Sequence, residues 1–235
     1  MSKDDPRQDD PRQDDPRQDE LGLRRAIIDK CRWMNANGLN QGTSGNISAR
    51  CGDRMLITPS AIPYHEMEPE MIAAMPFEGE YGAWEGPLKP SVEWRFHFDI
   101  LKGRPDAGAV VHTHATWSTI LAIAHKPIPA IHYMIAAFGG PDIRCAPYAR
   151  YGSEELSRFA LEALEGRNGC LLANHGMIAV GSSLDKAMWL AHELETLAKQ
   201  YYHALQIGGA NILPDSEITE VVEGFKSYGL QDKKP

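Results

Sequence analysis

The chain has 235 residues, 43% of them hydrophobic and 24% charged, with a net charge of −8, enough for one large globular domain. It holds no apolar run near the roughly 18 residues of a membrane span, no apolar segment of the secretory-signal kind at its start, and no basic cluster that would bind nucleic acid. Its four cysteines, Cys31, Cys51, Cys145 and Cys170, form no paired motif, so they are expected to be reduced residues of a cytoplasmic protein.

The first segment is a pentapeptide, DDPRQ, repeated three times from Asp4 to Gln18. Residues 1–20 hold seven Asp and one Glu against Lys3, Arg7, Arg12 and Arg17, a net of −4, which is half of the total imbalance. The repeat has no apolar side chain to bury and its prolines interrupt helix. Residues 1–20 are therefore expected to be a disordered tail, 21–230 the folded domain and 231–235 a C-terminal tail. Leu23, Ile27, Cys31 and Met34 recur at helical spacing and stop at Gly38. After NQGTSGNIS, the run MLIT (Met55 to Thr58) predicts a short strand. Pro90-Ser91 predicts a helix start, with Ser91 as N-cap and Trp94, Phe98 and Leu101 on the buried face. AGAVVHTHA reads as a strand, and ELSRFALEALEG as an amphipathic helix beginning after Ser153. GCLLANHGMIAV is an apolar run with polar, turn-like residues in its middle. The longest helix is expected from Leu184 to Leu205, burying Leu184, Met188, Ala191, Leu194 and Ala198. This alternation predicts an α/β domain with a central sheet flanked by helices.

Within AGAVVHTHA, His112 and His114 stand two residues apart, a spacing that points both side chains to one face of a strand. They form a chelating pair if a third ligand arrives, or a polar strand end with two solvated imidazoles. His175 is the candidate third ligand, because it interrupts an apolar run and is followed by Gly176. A buried polar group without a partner costs a few kcal/mol. A metal would satisfy all three histidines and keep an open position, as a catalytic zinc requires. Glu93, in KPSVEWRFHF, is expected in a first helical turn, where an acid complements the helix dipole by under about 1 kcal/mol. A Schiff-base mechanism would need a lysine desolvated inside a strand, and Lys30, Lys89, Lys102, Lys126, Lys186, Lys199 and Lys226 all lie on polar helix faces or beside Gly and Pro.

Seven segments, GLNQGTSGNIS, MLITPSAIPY, KPSVEWRFH, VVHTHA, IHYMIAAFGG, CAPYARYGS and NHGMIAV, resemble in order and spacing the class II aldolases of the adducin-like family. The resemblance runs from about Leu21 through GFKSYGL. It implies a three-layer α/β/α single domain around a mostly antiparallel sheet, and a homotetramer with active sites between subunits. It implies one zinc ion per subunit on His112, His114 and His175. Glu93 is implied as the acid/base carboxylate, which also ligates the metal when substrate is absent. Substrate phosphate is implied at Thr43, Gly45, Asn46, Ser60 and Ser91. Tyr133, reaching in from a neighbouring subunit, and Tyr228 are implied at the aldehyde end. Two positions depart from the pattern: Ala61 stands where the family has glycine, and Val92 where close members have a second serine.

The implied reaction is reversible cleavage of a ketose 1-phosphate to dihydroxyacetone phosphate and a small aldehyde. Fuculose, 5-deoxyribulose and 5-methylthioribulose 1-phosphates share the phosphorylated half, so the motifs do not separate them. The same fold also serves pentulose-phosphate 4-epimerases, sugar-acid phosphate decarboxylases and non-enzymatic adducin-like modules. The epimerases carry Asp where Glu93 stands, and the adducin-like modules lose the metal site whose histidines are kept here. No nucleic-acid or membrane partner is implied.

Overall fold

In the computed structural model, which describes residues 16–225, the first helix runs from Pro16 to Ala36 (α1). It begins within the third copy of the repeat. Proline suits the first turn of a helix, so the third copy of the repeat ends inside α1. Glu20 then reaches one turn ahead to Arg24, at 2.6 and 2.9 Å. Arg24 in turn donates to the carbonyls of Pro69 and Ile72. The earlier repeat residues, the expected C-terminal tail and Tyr228 lie outside the described residues. Along α1, Ile27, Cys31 and Met34 are buried as their spacing predicts.

Seven strands follow: Asn46–Cys51 (β1), Arg54–Ile57 (β2), Ala73–Pro76 (β3), Ala109–Thr113 (β4), Arg144–Ala146 (β5), Gly169–Leu172 (β6) and Gly176–Gly181 (β7). They form one sheet in the order β3-β2-β1-β4-β7-β6-β5. Only the β5–β6 pair is parallel, so the sheet is mostly antiparallel. The strand β1 escaped the sequence reading because its polar residues are buried too: Asn46 and Ser48 face one side, Ile47 and Ala49 the other.

The remaining helices are Trp94–Gly103 (α2), Thr116–Ile123 (α3), Glu154–Ala163 (α4), Leu184–Gln206 (α5) and Asp215–Phe225 (α6). Adjacent residues of β4 point into separate cores, as the two-residue strand period requires. Val111 belongs to the core that also holds Ile27 of α1, Leu121 of α3, Leu194 of α5 and Ile218 of α6. Val110 belongs to the core that holds Phe98 of α2 and Leu156 of α4. The result is the expected α/β/α arrangement. Ser153 and Ser183 cap α4 and α5, accepting from the backbone N–H of Leu156 and Lys186.

One local expectation is corrected. The helix α2 begins at Trp94, not at Ser91, and Glu93 is its N-cap. Residues 91–94 form a turn instead, with Trp94 N donating to Ser91 O, while Ser91 N is held by Thr58 O. The apolar run GCLLANHGMIAV is a hairpin of β6 and β7, and Asn174 in its turn has φ +55°. No disulfide joins cysteines of the described residues, and no helix among them is long and apolar enough to cross a membrane.

Candidate metal centre

The strand β4 lies between β1 and β7, with His112 registered against Asn46 on one side and Ile178 on the other. His112 is fully buried, and its Nδ1 lies 2.9 Å from the carbonyl of Met177. A carbonyl only accepts, so Nδ1 carries the proton and Nε2 presents its lone pair. His114 lies just beyond the strand end, with its Nε2 3.2 Å from that of His112. His175 enters from the β6–β7 turn. Its ring centroid is 4.8 Å from that of His112 and 4.9 Å from that of His114. One ligand nitrogen from each of the three lies within 4.8 Å of the others.

Glycine permits this convergence. A Cβ on Gly176 would stand 2.6 Å from Thr113 O and 3.0 Å from His114 Cδ2, and one on Gly45 would stand 2.8 Å from His112 O. Neither position tolerates a side chain without displacing the ligand strand.

Glu93 is not the exposed helix-dipole acid that its local sequence suggests. It is buried, and its carboxylate turns back to the histidines. Oε2 lies 3.3 Å from His112 Nε2 and accepts from Asn46 Nδ2 at 3.0 Å. Oε1 lies 3.1 Å from His175 Nε2, within ion-pair distance, yet it receives no hydrogen bond of acceptable geometry. Burial pushes the Glu93 carboxyl up, but His112 and His175 pull harder and hold it well below the usual carboxylate range. Burial also pushes His114 down to about 4, so its imidazole is neutral at pH 7, as ligation requires. Three inward imidazoles and a buried carboxylate oxygen without a donor are a donor set that fits a divalent ion of the zinc type.

Behind Glu93 lies a further histidine, on α2. His97 of α2 is completely buried, with Nε2 2.5 Å from Asn46 Oδ1 and Nδ1 2.8 Å from Ser48 Oγ. Burial pushes it down to about 3. Its partners are 51 and 49 positions away in sequence, so no local signal could have found them.

An open cavity of about 440 Å³ lies over Glu93, His114 and His175. Of the expected phosphate residues, Thr43 and Ser60 line it. Gly45, Asn46 and Ser91 stand behind it. The Asn46 carboxamide is engaged by Glu93 and His97, and the buried Ser91 accepts from Glu93 N through its Oγ at 3.3 Å. Val92 is 57% exposed in the cavity wall, its N–H bonded to Ser60 Oγ at 2.9 Å. Ala61, also in the wall, has φ +58°. Tyr148 and Tyr151 stand exposed at the rim. Both occur in CAPYARYGS, but an isolated tyrosine carries no local signal of a site. Tyr133 does not line this cavity: it opens a short 3-10 turn, half exposed, with its ring stacked on His132 at 4.7 Å.

Residues 25–202 match the family described as Class II Aldolase and Adducin N-terminal domain. The chain is 54% identical over 215 residues to the 5-methylthioribulose-1-phosphate/5-deoxyribulose-1-phosphate aldolase of Rhodospirillum rubrum, covering 92% of this chain and 96% of that protein. It is 51% identical to an L-fuculose phosphate aldolase of Escherichia coli, over 89% of this chain and 96% of the relative. Among solved structures, an L-fuculose 1-phosphate aldolase superposes with a TM-score of 0.83 at 39% identity, covering 87% of this chain and 96% of that one.

Proposed function

The chain belongs to the class II aldolase and adducin family, and from that premise we propose that it is a metal-dependent aldehyde-lyase. It cleaves a ketose 1-phosphate to dihydroxyacetone phosphate and a small aldehyde, and joins the two in reverse. One observation carries this reading: three histidines and a buried carboxylate converge beneath an open cavity. The substrate class is that of its relatives, which are named for fuculose, methylthioribulose and deoxyribulose phosphates. The reading includes a cytoplasmic homotetramer with its active sites between subunits.

A divalent ion held by His112, His114 and His175, zinc by family pattern, supplies Lewis-acid stabilisation of the negative charge that develops on the ketose oxygens. Glu93 manages the proton. Its carboxylate sits at the cavity floor: in condensation it removes the proton from the carbon beside the ketose carbonyl, and in cleavage the same carboxyl, after taking up the proton that the substrate hydroxyl releases, returns one to that carbon. Thr43 and Ser60 offer hydroxyls to the phosphate at the cavity wall. Gly45, Asn46 and Ser91 complete that end from behind, shaping the loop and holding Glu93. Anchoring the phosphate away from the breaking bond contributes orientation. Tyr133, outside the cavity of its own chain, serves the aldehyde-end hydroxyl of a neighbouring subunit's substrate, together with Tyr228.

The test is a panel of fuculose, 5-deoxyribulose and 5-methylthioribulose 1-phosphates, with kcat/KM read in the cleavage direction before and after chelation. Dihydroxyacetone phosphate should appear from at least one, stop with chelator and return with zinc. Glu93→Gln should lower kcat about 10²- to 10⁴-fold in a protein that remains folded. Cleavage of none of the three, or full activity without metal, would refute the proposal.

A further inference from the structure

The proposed chemistry gives His97 no task, yet it is fully buried with both ring nitrogens engaged. It lies one helical turn beyond Glu93, without solvent exposure, between Asn46 and Ser48 of β1. The hydrogen-bond directions follow from the far end of the chain of contacts. Glu93 as a carboxylate only accepts, so Asn46 must turn Nδ2 toward Oε2. Asn46 Oδ1 is then the atom left for His97, and it needs an N–H from Nε2. A neutral imidazole with its proton on Nε2 has a bare Nδ1, which accepts the hydroxyl proton of Ser48. Every hydrogen bond from Ser48 to Glu93 thus has a single allowed direction.

We propose that His97 is a positioning residue for Glu93: it fixes the Asn46 carboxamide so that its N–H, and not its C=O, faces the catalytic carboxylate. This rests on Glu93 being the acid/base group. If the imidazole N–H is lost, the carboxamide is free to turn over. Its oxygen would then meet Oε2 in a buried place, two acceptors without a proton between them, and the carboxylate would be driven from its position. A residue that acts by orienting the acid/base group should lower turnover while leaving substrate affinity intact.

The experiment compares His97→Phe, His97→Gln, Ser48→Ala and Asn46→Ala. Each is measured for kcat, KM, Zn²⁺ dissociation constant and Tm. His97→Phe should lower kcat about 10- to 100-fold, the scale of a small misplacement of a reacting group. KM should stay within about twofold, while the Zn²⁺ constant of substrate-free protein rises, because Glu93 belongs to its donor set. His97→Gln, which can donate to Asn46 and accept from Ser48, should recover most of the turnover. Ser48→Ala should lower kcat by a smaller factor, and it carries the test if His97→Phe does not fold. In an Asn46→Ala background, His97→Phe should add nothing further to the loss in kcat. Unchanged kcat in both His97→Phe and Ser48→Ala, with only Tm lowered, would overturn the inference; so would losses that add in the double variant. Glu93→Gln is measured alongside. If it keeps full activity, both this inference and the proposed function fall. If it is inactive while His97→Phe is fully active, this inference alone falls.

Discussion

Ala61 holds a left-handed backbone, φ +58°, at the cavity wall. A Cβ in that region costs about 1–2 kcal/mol, and part of this is offset because glycine makes the unfolded chain more flexible. Ala61→Gly is therefore expected to raise stability by about 1 kcal/mol, read as a higher urea midpoint with unchanged slope. A lower midpoint would mean that the methyl group packs better than its strain costs. The position was visible in the sequence only as a departure from the family pattern, since no local rule assigns a positive φ to an alanine. Other residues differ in the same way. His112 and His114 were legible because their relation is local: a two-residue strand period sets their faces. Glu93 was not, because its partners Asn46, His112 and His175 come from three other strands or turns. Local sequence could offer it only the helix dipole.

The helix α3 begins two residues after His114, and its N-cap, Ala115, has no side chain to offer. Glu195 of α5 takes over that task, accepting from the N–H groups of Trp117 and Ser118 at 2.8 Å each. At the other end, Ala122 O accepts from Asn174 N, and His125 Nε2 lies 2.6 Å from Asn174 Oδ1. So α3 braces the segment carrying His114 against the turn carrying His175. Glu195→Ala should destabilise the protein by about 2–3 kcal/mol, the scale of hydrogen bonds to a charged group, and weaken Zn²⁺ binding in a competition titration. Lower stability with unchanged Zn²⁺ affinity would limit the brace to the fold. Elements whose signals are local were legible: α4 and α5 start where Ser153 and Ser183 say they should. The N-cap of α2 was misplaced by two residues, Ser91 instead of Glu93, because Ser91 is held by Thr58, on a segment far away in sequence. The β6–β7 turn falls at the polar residues in the middle of its apolar run.

Across the whole molecule, the buried polar groups set the response to acid. His97 has its folded pKa pushed down to about 3 from an ordinary 6.5. As pH falls through 6.5, the unfolded chain takes up this proton while the folded chain does not. The contribution is therefore complete above about 6.5 and is lost as pH falls toward about 3. His114, pushed down to about 4, acts in the same direction in metal-free protein. Glu93, held below the ordinary carboxylate value of 4.5, adds its share as pH falls below that value. Urea melts of metal-free protein from pH 8 to 4 should lose up to about 1.4 kcal/mol per pH unit for each such histidine. His97→Gln should flatten that slope by one proton's worth, and an unchanged slope would mean that His97 titrates normally. The layer order was legible from alternating helical and strand patterns, whereas the strand order was not, because β1 and β4 meet across some 60 residues of chain. That order also decides what the two flanks of the sheet can do. On the outer side of β3, Ala74 exchanges both backbone hydrogen bonds with Glu85, and the strand ends at Pro76, which has no N–H. At the opposite flank, β5 has three residues, Ile128 pairs with Ile143 just ahead of it, and Arg144 reaches across to the carbonyls of Ala163 and Glu165. Neither flank offers a long open ladder to an incoming strand. Two copies meeting at either flank would have to do so through side chains. They have little template for the backbone-on-backbone growth that ends in fibrils.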